Sequence, residues 1–117
     1  MAKICILVQT GPYTYENLDT ALALARSAKG AGVSVALFLY VDGVISVNSK
    51  IDSPGERNLS QLLADLIREG VEVSACGACS KFRGITKQLY VDGATMGSIV
   101  DMAEMLEDAD ALVSLGF

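Results

Sequence analysis

The chain reads as a three-layer α/β/α domain built on a mainly parallel sheet of about five strands. Three observations predict it. Short apolar runs alternate with helix-period segments in the order β-α-β-α-β-α-(β)-α-β, the pattern of a parallel sheet with helices on both faces. The first run, Ile4–Val8, is apolar throughout instead of alternating, as in a strand buried on both sides. Hydrophobic residues make up 51% of the chain, yet only 6% are aromatic and Trp is absent, so the core is aliphatic and alanine-rich. At 117 residues a single domain over 1–117 is expected, able to bury roughly two-thirds of its unfolded surface without staples.

Each element has its own signal. Ile4–Val8 is the first strand, and Gln9–Thr14 the loop after it. A helix is expected from about Tyr15 to Lys29, with Leu18, Ala21, Leu22, Ala25 and Ala28 on one face. Gly30-Ala31-Gly32 stops it. Val33–Val41, rich in Val, Leu, Phe and Tyr, is the second strand, and Asp42–Asp52 reads as a loop or irregular segment. Ser53-Pro54-Gly55-Glu56 looks like a helix start, with Ser53 as cap and Pro54 in the first turn. Leu59, Leu62, Leu63, Leu66 and Ile67 then form one apolar stripe that ends at Gly70. Val71–Ala75 is the third strand. A helical turn follows over Gly77–Arg83, with Gly84 as its C-cap. Gln88–Val91 is the candidate fourth strand. Ser98 opens the last helix, carrying Ile99, Met102, Ala103 and Leu106, and Ala111–Leu115 closes the sheet.

Charge and cysteine usage narrow the function. Acids outnumber bases 14 to 9, which disfavours nucleic-acid and anionic-membrane partners. No stretch is apolar for long enough to span a membrane, and the short opening run does not resemble a secretion signal. Three cysteines do not form a secreted disulfide framework, so a cytoplasmic, reducing compartment is expected. Neither common phosphate-loop motif occurs. The acidic run Asp101–Asp110 is read as a solvated helix face.

The chemistry concentrates in Cys76-Gly77-Ala78-Cys79-Ser80-Lys81-Phe82-Arg83-Gly84. Lys81, Arg83 and Lys87 are the only charges between Glu72 and Asp92. Thiols react as thiolates, which a positive local field favours. Parallel sheets place reactive groups beyond the carboxyl ends of their strands, where Cys76 falls, at the start of a helical turn whose free amides favour an anion. The Thr10-Gly11-Pro12 loop belongs to the same sheet edge and is a candidate wall of the site. One Cys-x-x-Cys supplies two of the four ligands a structural zinc needs, and the chain has no His. No metal and no other cofactor is therefore expected. The same lack of His leaves no Cys–His nucleophile pair. Both prolines lie upstream of the thiols, unlike the proline facing the cysteines of thioredoxins. Cys5, mid-strand, is read as core. Cys79 stands open between partner thiol and helix packing, and Arg83 between solvated charge and electrostatic helper.

The block Cys76–Ile85, with Arg83-Gly84-Ile85 at its spacing from Cys76, resembles the DsrE/DsrF-like family of sulfur-relay proteins. Thr10-Gly11-Pro12 after the first strand and Asp42-Gly43-Val44 after the second extend the resemblance over essentially the whole chain. It implies flavodoxin-like layering with a five-stranded parallel sheet, and homo-oligomers of three or six subunits. It further implies a cytoplasmic sulfurtransferase or sulfur carrier, with sulfur donor and acceptor proteins as partners and Cys76 as the persulfide-bearing residue. Arg83, Lys81 and local amides would steady the anion, and Thr10, Gly11 and Gly84 would border the substrate. The chain departs from the sulfur-relay subunits at Cys79, where those usually carry Ala, which opens a route from a Cys76 persulfide to a disulfide. Two rival functions remain at this point: a dithiol redox protein using Cys76 and Cys79, and a non-catalytic subunit of an oligomeric complex.

Overall fold

A computed structural model describes residues 2–117. Its strands are β1 (Lys3–Val8), β2 (Ser34–Leu39), β3 (Glu72–Cys76), β4 (Thr95–Gly97) and β5 (Ala111–Leu115). Its α-helices are α1 (Asn17–Gly30), α2 (Leu59–Arg68), α3 (Gly77–Phe82) and α4 (Ile99–Glu107). The strands form one sheet in the order β4-β3-β2-β1-β5, and every pairing is parallel.

Register explains why the runs are apolar without alternation. Ile6 pairs with Leu37 and Leu37 with Val73, and all three are buried. The intervening row, Leu7, Phe38 and Ser74, is buried as well. A parallel sheet covered on both sides needs both rows apolar or internally bonded.

Chain direction assigns the helices to faces. From β1 to β4 the chain steps outward in one direction, so right-handed crossovers put α1 and α2 on one face, where they pack together. The connection from β4 back to β5 reverses direction and carries α4 across the other face. There the Cys5 thiol donates to the Met105 carbonyl at 3.2 Å. Neighbouring strands β3 and β4 thus send their connections to opposite faces. Cys76 pairs with Gly97 at that switch point, the place where open α/β sheets present a crevice.

Three expectations need correction. The fourth strand is Thr95–Gly97, not Gln88–Val91. Lys87–Leu89 forms a 3-10 turn, Tyr90 makes a single antiparallel bridge with Asn48, and the Val91 amide donates to the Val47 carbonyl. The second helix starts after Asn58, whose side chain accepts the Gln61 amide at 3.0 Å. Gly55, at φ +74°, keeps the Ser53 region a turn. Finally, the first half of the segment read as a loop or irregular stretch over Asp42–Asp52 is regular: Val41–Val47 is a 3-10 helix with Gly43, Val44, Ser46 and Val47 buried.

Candidate functional site

Cys76 ends β3 and caps α3. Its sulfur accepts the Cys79 amide at 3.5 Å, and it is 6% exposed. Its carbonyl accepts the Ser80 hydroxyl at 2.9 Å, and Ser80 in turn meets the Tyr90 hydroxyl at 2.6 Å. Burial raises the Tyr90 pKa. The turn that holds the first thiol is therefore tied from inside by two buried hydroxyls.

The far end of α3 closes with a paired motif. Gly84 donates to the Lys81 carbonyl and Ile85 to the Ser80 carbonyl, with Gly84 at φ +69°. A side chain is disfavoured in that left-handed conformation, which is why Gly stands there. The turn aims Arg83 back along the helix. Its Nε donates to Asp42 Oδ1 at 2.8 Å and its Nη1 to the Cys79 carbonyl at 3.0 Å. The hydrogen bonds of Arg83 thus serve Asp42 and the Cys79 end of the motif, and none reaches Cys76.

Cys79 is half-buried and close to a tight turn after β2. Its sulfur accepts the Val41 amide at 3.3 Å, and Val41 sits at φ +54°. Two contacts hold this conformation. The Tyr40 amide is bonded to the Val8 carbonyl, and Gly43 presses on the same oxygen so closely that an added Cβ would lie 2.2 Å from it. The Cys79 pKa is raised, chiefly by burial and then by its hydrogen bond with the Cys76 thiol; the Val41 amide and Arg83 pull the other way.

Other residues of the sequence reading lie around this centre. Thr10 is buried, and its hydroxyl accepts the Asn17 side-chain amide at 3.0 Å. Gly11 packs beside Asp42, so the loop borders the Arg83–Asp42 pair. Lys81 and Gly84 line an apolar cavity of about 360 Å³ with Ile85, Thr86, Lys87 and Met96. Met96 also backs Gly77, which puts that cavity beside the first turn of α3. Phe82 stands 85% exposed at the end of that helix. Among the described residues no three His, Cys, Asp or Glu side chains are grouped to hold a metal ion. Val41, Asp42, Ser80 and Tyr90 gained roles that their sequence context does not give. Asp42 alone had a signal, as part of Asp42-Gly43-Val44.

Comparison with known proteins places the fold in a lineage. Residues 2–115 match the model of the DsrE/DsrF-like family. The "Uncharacterized protein MK0008" of Methanopyrus kandleri is 33% identical over 111 residues, covering 94% of this chain and 91% of its own. YchN of Escherichia coli is 32% identical over 117 residues, covering 97% and 99%. The crystal structure of YchN superposes with a TM-score of 0.90 at 28% identity over 98% of this chain and all of that one. With its thiols at the carboxyl edge of a five-stranded parallel sheet, the chain belongs to the DsrE/DsrF-like family.

Proposed function

We propose that this protein is a sulfur carrier of an intracellular sulfur relay, holding sulfane sulfur as a persulfide on Cys76. The observation that carries the reading is the position of Cys76, a free thiol at the β3–β4 switch point whose sulfur already accepts a backbone amide. In the loading step the Cys76 thiolate attacks the outer sulfur of a donor persulfide. A new S–S bond forms at Cys76, the donor S–S bond breaks, and the donor leaves as a thiolate that takes up a proton. Release to an acceptor thiolate is the same exchange in reverse. Cys76 is nearly buried, and a persulfide lengthens its side chain by one S–S bond, about 2 Å. Exposed Phe82 offers the apolar contact that a donor or acceptor protein would cover.

The test is incubation of the reduced protein with inorganic polysulfide, removal of the excess, and intact-mass measurement under acid quench. Wild type is expected to gain one sulfur atom and Cys76→Ser none. Equal sulfur on the two proteins, or a wild type that neither gains sulfur nor ends two hydrogens lighter with release of sulfide, refutes the reading.

A further inference from the structure

Two sulfurs share one helical turn here, and the fold treats them differently. The Cys76 sulfur takes the long 3.5 Å bond from the Cys79 amide. The Cys79 sulfur takes the shorter 3.3 Å bond from Val41, a β-branched residue held at φ +54°. That conformation is costly for a β-branched residue and persists only where the surroundings over-determine it. They do so here through Gly43 against the Val8 carbonyl and the Tyr40 amide on the same oxygen. Asp42, the next residue along, is anchored by Arg83, whose guanidinium also binds the Cys79 carbonyl. A strained donor aimed at one sulfur is a preorganised stabiliser of negative charge on it. Burial holds the Cys79 thiol protonated at rest, while the Val41 amide and Arg83 favour its anion.

We infer that Cys79 is a resolving thiol, which turns sulfane sulfur carried on Cys76 into free sulfide and leaves a Cys76–Cys79 disulfide. The inference rests on Cys76 as the sulfur-bearing residue. Cys79 gives up its proton and attacks the inner sulfur of the Cys76 persulfide. The Cys76–Cys79 S–S bond forms, the bond to the outer sulfur breaks, and that sulfur departs as hydrosulfide with the proton. The outer sulfur is reduced by two electrons, and the two cysteine sulfurs are each oxidised by one. A low-molecular-weight thiol or a dithiol reductant then restores both thiols, becoming a disulfide itself. The protein thereby becomes a sulfane-sulfur reductase as well as a carrier. Where Cys79 is replaced by a residue without a thiol, only carriage remains.

The experiment loads reduced wild type and Cys79→Ser with inorganic polysulfide, removes excess reagent, and follows intact mass and released sulfide over time without reductant. Wild type is expected to pass from one sulfur heavier to two hydrogens lighter than the reduced chain, releasing one sulfide per chain. Cys79→Ser is expected to keep its sulfur and release none. The wild-type time course reads the step by itself, whatever the variant's stability. A wild type that stays one sulfur heavier, or equal sulfide release from both proteins, overturns the inference and leaves the carrier reading standing, whereas sulfur mapped to Cys79 overturns both. Failure of both proteins to gain sulfur overturns the two together.

Discussion

Ser80 has a single hydroxyl proton, and the Cys76 carbonyl takes it at 2.9 Å. The 2.6 Å contact with Tyr90 must then run from the Tyr90 hydroxyl to the Ser80 oxygen. Both residues are buried, so the order of protons decides what each deletion costs. Ser80→Ala strips the phenol of its acceptor and the Cys76 carbonyl of its side-chain donor; a buried group left unpaired costs about 1–3 kcal/mol. Tyr90→Phe leaves the Ser80–Cys76 bond intact and removes one neutral hydrogen bond, worth about 1 kcal/mol. Urea denaturation is therefore expected to show the larger loss for Ser80→Ala. A Tyr90→Phe loss of equal size would mean that Ser80 is held through Tyr90 and not through the Cys76 carbonyl. At this scale the sequence made Cys76 and Arg83 legible, because a Cys-x-x-Cys followed by bases is a chemical pattern. It left Ser80 and Tyr90 silent, since a Ser in a short helix and a Tyr in a polar stretch acquire meaning only when the chain brings them together.

Among the elements, the 3-10 helix Val41–Val47 matters most to the site and was the least legible. Its sequence mixes Val and Ile with Asp, Gly and Ser, which fits neither a strand period nor a helical one. Its shape comes from one close approach. Gly43 lies where an added Cβ would sit 2.2 Å from the Val8 carbonyl oxygen, a backbone atom that cannot swing away. Gly43→Ala must separate the turn from β1, and overpacking of this kind is expected to cost about 3 kcal/mol. The same shift moves the Val41 amide off Cys79. A Gly43→Ala protein with an unchanged urea midpoint would contradict the close packing. Strands β1 and β2 are readable as continuous apolar runs because the parallel sheet buries both of their faces, while β5 reads as an apolar run although it lies exposed or half-buried at the sheet edge. β4 has only Thr95, Met96 and Gly97, too few residues for any period, whereas Gln88–Val91 is more strand-like in sequence but pairs through Tyr90 and Val91 with the end of the 3-10 helix after β2. The start of α2 was displaced from Ser53 to Asn58 by contacts distant in sequence. The Tyr13 hydroxyl donates to the Arg57 carbonyl and accepts the Leu59 amide.

Across the whole molecule, titratable groups tied into the fold set the pH range over which it is most stable. The Asp19 carboxyl is held below the usual range by its hydrogen bonds to Arg57, and Asp108 by Lys3. A depressed carboxyl stabilises the fold above its unfolded pKa, about 3.9 for Asp, and loses that contribution as pH falls through the folded value. The Cys5 and Cys79 thiols are shifted upward, in both cases first by burial. A raised thiol stabilises the fold fully below its unfolded pKa, about 8.5, and loses that contribution as pH rises through the folded value. Stability is thus expected to plateau between about pH 4 and pH 8.5 and to fall on either side, for different reasons at each end. Cys5 makes the alkaline limb separable. As a thiol it donates to the Met105 carbonyl, the bond that ties α4 to the centre of the sheet, and a thiolate has no proton to give. Cys5→Ala should lower the urea midpoint at neutral pH while flattening its decline between about pH 8.5 and pH 10. Asp19→Asn should flatten the acid limb and leave the alkaline one as it is. An alkaline decline as steep in Cys5→Ala as in wild type would assign that limb to Cys79 and Tyr90 at the dithiol turn, and would make the functional site the part of the fold most sensitive to base.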